Sequence, residues 1–300
     1  MDSESFVHES VFMATRAASL WGHEKASRSS KRMRRSTAPA KQIESTIKIS
    51  TLGYFAIRRG ADTPISIRTN TRPGALLQLL IAVGPRGIDK HQAEDFLWPP
   101  SVEQRAHSLI DSSLYRLRQL LNSQTACRAA QGVISLDPGI VSIDAWLFER
   151  EADGLLTRLR YEGNLDAGEI SVRCQRLIEI YRGPFLATQT STPWIARTRD
   201  HLEAKFTRVI DEVGQFWQGA GRWDRAIQLY EQGLESDNLA EETYRQIIRC
   251  HLAQKHFAEA IRAYNRCQEL LAMVLSVAPS AETTALYQHA LRGDIGDVEL

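Results

Sequence analysis

The sequence is poor in the residues that staple folds covalently or through metals. It has 4 cysteines, Cys127, Cys174, Cys250 and Cys267, and no pair stands in a Cys-x-x-Cys spacing, so neither a disulfide framework nor a zinc site is indicated. The four read as reduced packing thiols. Long apolar runs are also missing: the longest, residues 75–83, is far below the ~20 residues that cross a bilayer. The early stretch 11–21 is broken by Arg16 and carries no cleavage signal, so a cytoplasmic protein without a membrane partner is expected. Phosphate-cradling glycine loops, nucleophile elbows and metal-ligand spacings are absent too. His251 and His256 lie five apart, the wrong spacing for a shared helix face, and read as surface histidines. The chain therefore does not read as an enzyme, and no catalytic residue, metal or cofactor is expected.

What is present points to two cores. Hydrophobic residues make up 43% of the chain, and 300 residues suit about two domains of roughly 100–200 residues each. A net charge of +1 hides an asymmetry, because cations exceed carboxylates in the N-terminal half and the reverse holds in the C-terminal half. That division suits a polyanion at one end and a protein at the other.

Residues 1–45 are rich in Ser, Arg, Lys and Ala without apolar periodicity, and read as a disordered basic arm, either a solubilising tail or a phosphate-binding segment. From Thr46 the texture changes. Residues 47–57 mix alternation with β-branched and aromatic side chains, and 64–68 follow a Gly-Ala-Asp turn, which predicts two short strands. Three helices are predicted next: 73–83, between Pro73 and Gly84-Pro85; 89–98, capped by Asp89 and stopped by Pro99-Pro100; and 102–121. Residues 127–136 and 140–143 flank Asp137-Pro-Gly139, which predicts a hairpin turning there. Strands, three helices and a terminal hairpin make an α+β winged helix-turn-helix domain over 46–144.

Residues 145–292 read as all-α, with 293–300 as a tail. Trp223-Asp-Arg-Ala-Ile-Gln-Leu-Tyr230 realigns on Phe257-Ala-Glu-Ala-Ile-Arg-Ala-Tyr264 at an offset of 34 residues, the tetratricopeptide period, in which a small Ala lets paired helices approach and an aromatic fills the groove.

In the third predicted helix, Ala106, Leu109, Ile110, Leu114, Leu117 and Leu121 form one apolar stripe. The other side presents Arg105, Ser108, Asp111, Ser112, Tyr115, Arg116, Arg118 and Gln119, groups of the kinds that meet base edges and phosphates. Such a face alone is also what a solvated surface looks like.

The run from Gly74 to Trp98-Pro99, then Ser113-Leu-Tyr-Arg-Leu-Arg-Gln-Leu-Leu121, Leu136-Asp-Pro and Val141-Ser-Ile-Asp-Ala-Trp-Leu-Phe148, resembles the OmpR-type winged helix of SARP-type regulators. Downstream, Tyr181-Arg-Gly-Pro-Phe-Leu186, Trp194, Tyr264-Asn-Arg-Cys267 and Ala278-Pro-Ser-Ala-Glu-Thr283 resemble the bacterial transcriptional activator domain that accompanies it. The resemblance implies a sequence-specific transcription regulator whose third helix enters the major groove of promoter DNA. Ser108, Asp111, Ser112, Tyr115, Arg116 and Arg118 then occupy DNA-facing positions, Arg128 reaches the backbone or minor groove from the hairpin, and the 98–102 turn is where this family can touch RNA polymerase. The helical repeats would pair two copies or hold a protein partner. The competing reading is a helical-repeat adaptor whose winged domain no longer binds DNA.

Overall fold

The computed structural model describes residues 47–60, 63–98, 103–162, 165–189 and 191–293. The expected basic arm and most of the expected tail lie outside the described residues. Strand β1 (Ile47–Ser50) pairs antiparallel with β2 (Ala56–Arg59), which pairs with the short β3 (Thr63–Pro64). Helix α1 (Arg72–Val83) starts where the Thr71 hydroxyl accepts from the Gly74 amide at 3.4 Å and ends at Gly84, whose φ of 85° suits glycine. Bridge strand β4 (Ile88–Asp89) leads into α2 (Lys90–Leu97), capped by Asp89, which accepts from the His91 amide at 2.9 Å. Helix α3 (Glu103–Leu120) is followed by β5 (Cys127–Ala130), β6 (Val133–Leu136) and β7 (Val141–Ile143).

The expected hairpin sits elsewhere in the chain. The reversal lies between β5 and β6, at Gln131 and Gly132, both with positive φ (51° and 81°). Asp137-Pro-Gly139 is instead a self-capped corner: Asp137 Oδ1 accepts from the Gly139 amide at 2.9 Å, and its carbonyl accepts from Ile140 and Val141, both at 2.9 Å. That corner carries the chain out of the β4-β6-β5 sheet and lays β7 parallel to β1, completing a second sheet in the order β3-β2-β1-β7.

From Asp144 onward the described chain is almost wholly helical, as expected: α4 (Asp144–Tyr161), α5 (Ala167–Ile180), α6 (Pro193–Gly219), α7 (Trp223–Ser236), α8 (Glu241–Ala253), α9 (Phe257–Leu275) and α10 (Ala281–Arg292). The 34-residue repeat falls on α7 and α9. Ala226 and Ala260 are fully buried, as is Tyr230, while Tyr264 is nearly so. The two tyrosines do different work. Tyr230 sits against Gly214 of α6, where any Cβ would overlap its ring, and Tyr264 stacks on Tyr287 of α10 at 4.2 Å between centroids.

The strand-bearing region shares one continuous core with the helices from α4 to the near faces of α8 and α9, while Ile248, Leu252, Ala260, Tyr264, Leu286 and Ala290 form a second cluster beneath α10. The Asp144 carboxylate, at the start of α4, accepts from the Thr51 amide at 2.8 Å, the Thr51 hydroxyl at 2.6 Å and the Leu52 amide at 3.1 Å. The Tyr181-Arg-Gly-Pro-Phe-Leu186 segment lies along the same edge. The Gly53 amide donates to Pro184 O at 3.1 Å, the Leu186 amide donates to Thr51 O at 2.8 Å, and Leu52 bridges to Phe185. Gly53 (φ 82°) passes so close to Arg182 that a Cβ would lie 2.8 Å from its carbonyl oxygen. Arg199 of α6 locks the segment from behind, donating to the Phe185 and Leu186 carbonyls, each at 3.1 Å.

The four cysteines are buried, and burial pushes the Cys127, Cys174 and Cys250 thiols up to about 12 and Cys267 up to about 11, so they remain protonated packing groups at neutral pH. His251 differs from the surface residue expected: it is half-buried, its Nδ1 has no hydrogen-bond partner, and burial holds its pKa below the usual imidazole value.

Candidate nucleic-acid interface

Helix α3 is positioned by its apolar stripe. Ile110, Leu114, Leu117 and Leu121 are buried, against α1 and α2, and this fixes which residues turn outward. Asp111, Ser112, Tyr115, Arg116 and Gln119 are exposed along one side, with Tyr115 at 61%. Arg116 makes no hydrogen bond or ion pair with a described residue, so its five donors face solvent. Ser112 returns its hydroxyl to Leu109 O at 3.0 Å. Arg105 and Ser108 lie outside the described side chains, and Pro99 to Val102, the greater part of the turn assigned to polymerase, lie outside the described residues. Trp98 is partly buried against the core.

The other expected contact residues have partners within the protein. Arg118 is turned toward the hairpin, its Nε and a terminal nitrogen donating to Cys127 O at 3.0 and 2.9 Å. Asp111 accepts from Lys90 Nζ at 2.7 Å, which offsets its charge. Arg128 of β5 pairs with the Asp137 carboxylate while its side chain stays 65% exposed.

These bonds make a frame around α3. The Lys90 amide donates to Gly132 O at 2.8 Å, tying the hairpin tip to the start of α2, and Lys90 Nζ ties α2 to α3. Gly87 runs against β6 so tightly that a Cβ would overlap Ile134 O. Arg59 of β2 donates to Leu121 O, satisfying one carbonyl that the end of α3 leaves unpaired. Asn122 (φ 45°) closes the helix in the left-handed region. Sequence patterning missed Arg59 and Lys90 as positioning residues, since each acts across tens of residues and leaves no local periodic signal. The arrangement is an outward helix bearing an aromatic hydroxyl and a guanidinium without a partner among the described residues, beside a tethered two-stranded hairpin.

Comparison with known proteins is informative mainly for the helical part. Residues 143–291 match the bacterial transcriptional activator domain. Among solved structures, Mycobacterium tuberculosis EmbR in complex with a low-affinity phosphopeptide is similar at a TM-score of 0.61 and 21% identity, over 84% of this chain and 66% of that one. The present chain thus spans just under two thirds of that relative's length. The C-terminal tetratricopeptide-containing domain of a Plasmodium falciparum putative FK506-binding protein matches over 50% of this chain and 87% of that one, at 10% identity and a TM-score of only 0.29. No curated protein matches the sequence.

Proposed function

We propose, from the bacterial transcriptional activator domain matched at residues 143–291, that the chain is a SARP-type regulator, a sequence-specific activator that reads promoter DNA through α3. In this reading residues 46–144 are a winged helix-turn-helix domain, the β5–β6 hairpin is the wing, and α3 enters the major groove. The observation that carries it is the exposed Arg116, without a partner among the described residues, beside Tyr115 on a helix held at Asp111 and at its C-terminal end. A guanidinium so placed reaches a guanine edge or a phosphate. Arg128 on the wing supplies a backbone contact, Asp111 and Ser112 border the groove, and Arg118 acts by fixing the wing. Arg105 and Ser108 belong to the same face by helical spacing, the 98–102 turn is offered to RNA polymerase, and the helical repeats pair two copies or hold a protein partner.

The second reading, a helical-repeat adaptor, draws on the internal engagement of Asp111, Arg118 and Arg128. Selection of bound sequences from random duplex DNA by the full chain separates the two. A DNA reader recovers a defined site and loses affinity steeply with salt, whereas an adaptor recovers none. Arg116→Ala should weaken binding to the recovered site by about 1–3 kcal/mol with an unchanged urea midpoint; unchanged affinity would remove Arg116 from the interface.

A further inference from the structure

Between α1 and α2 on one side and α4 and α6 on the other lies a cleft of about 550 Å³. A second lobe of about 850 Å³, toward Phe55 and Gln78, shares Phe96 and Trp194 with it as lining. Both lobes are in the size range of small-molecule sites, roughly 300–1,000 Å³. The shared wall is aromatic. Phe96 is 55% exposed, unusual for a side chain that gains by burial. Trp146 spends its indole N–H on Ile81 O at 2.8 Å, which leaves only its ring for any occupant.

Polar groups are few in the first lobe, whereas Arg68, Asn70, Gln189 and neighbouring threonines line the second. Glu149 is engaged by His201 Nε2 at 3.0 Å and by Lys205 Nζ at 3.8 Å. Arg197, at the mouth, is exposed and has no partner among the described residues. In the second lobe Gln78 is only 5% exposed, and its Nε2 has no hydrogen-bond acceptor. A buried amide N–H left unmade is costly, and here it lines a space large enough to hold an acceptor.

We propose that this cleft binds a planar aromatic carboxylate, with its ring against Trp194 and Phe96 and its carboxylate on Arg197. A second acceptor further in meets Gln78 Nε2. Aromatic walls select a flat apolar body, and the guanidinium of Arg197, beside those walls in the first lobe, selects a carboxylate through paired, charge-assisted hydrogen bonds. The lining comes from both halves of the chain, so an occupant braces α2 against α6. Binding here does not depend on whether α3 reads DNA.

Isothermal titration of the full chain with 2-naphthoate and with its neutral isostere 2-naphthamide, without DNA, tests the assignment. The acid should bind saturably at one site, about ten-fold more tightly than the amide. Arg197→Gln, a change at an exposed position, should erase that preference and leave the amide unaffected. Absence of saturable binding by the acid, equal affinities for acid and amide, or a preference that survives Arg197→Gln would each overturn the proposal.

Discussion

Arg116 and Arg118 sit two positions apart on one helix, yet the fold leaves the first exposed and captures the second. Arg118 spends its guanidinium on the Cys127 carbonyl, so its loss would act first on where β5 sits. Asp211 of α6 shows a different residue-scale effect. Burial, reinforced by Glu242 and Glu212, pushes its carboxyl from 3.8 up to about 6, and its Oδ1 has no hydrogen-bond partner. Between these two pH values the folded state keeps a proton that the unfolded chain releases, so stability falls as pH rises through the window and stays lower above it. Asp211→Asn removes the penalty. Urea titration should show the variant more stable at pH 7.5 by about 1–2 kcal/mol, the shift being discounted for the partial exposure of the group. The advantage should fade as pH falls toward 4; a pH-independent difference would point to packing instead.

At the scale of elements, the crossing of α6 and α7 depends on the absence of one carbon. Alanine is the better helix former by about 1 kcal/mol, but a Cβ on Gly214 would overlap the Tyr230 ring, and overpacking of this kind costs about 1–3 kcal/mol. The steric effect wins, so Gly214→Ala should lower the urea midpoint at constant slope. The sequence made much of this legible: the bounds of α1 and α2 follow within a residue from Pro73, Gly84 and Asp89, and the repeat pointed to Ala226, Tyr230, Ala260 and Tyr264. It misplaced the hairpin because Asp137-Pro-Gly139 carries every local turn signal, whereas the true reversal puts Gln131 at φ 51°, a conformation its type rarely adopts. Pairing with β4 across more than forty residues, at Ile88–Ile134 and Asp89–Val133, selects that geometry. On the candidate interface, helical spacing identified the outward face of α3 but not that Arg118 at its flank would be captured by β5, since capture depends on where a strand from later in the chain comes to rest.

Across the whole molecule, the shared core and the clasp of residues 181–186 on Thr51, Leu52 and Gly53 leave no cut that separates strands from helices without breaking backbone hydrogen bonds. Calorimetry of the full chain should therefore give one cooperative transition, its van't Hoff and calorimetric enthalpies agreeing; two resolved transitions would show the halves to be independent. The clasp also imposes an order on synthesis. Strand β1 emerges first but waits for β7, and its far end waits longer, until Arg199 has been made. At about 5–20 residues per second, the roughly 150 residues from Ile47 to Arg199 take some 8–30 s to appear. The sheet itself is complete once β7 has been made, but for the rest of that interval the backbone from Thr51 to Gly53 lacks its locked clasp, and a message cut short before codon 184 yields a chain whose Gly53 amide and Thr51 carbonyl keep no partner there.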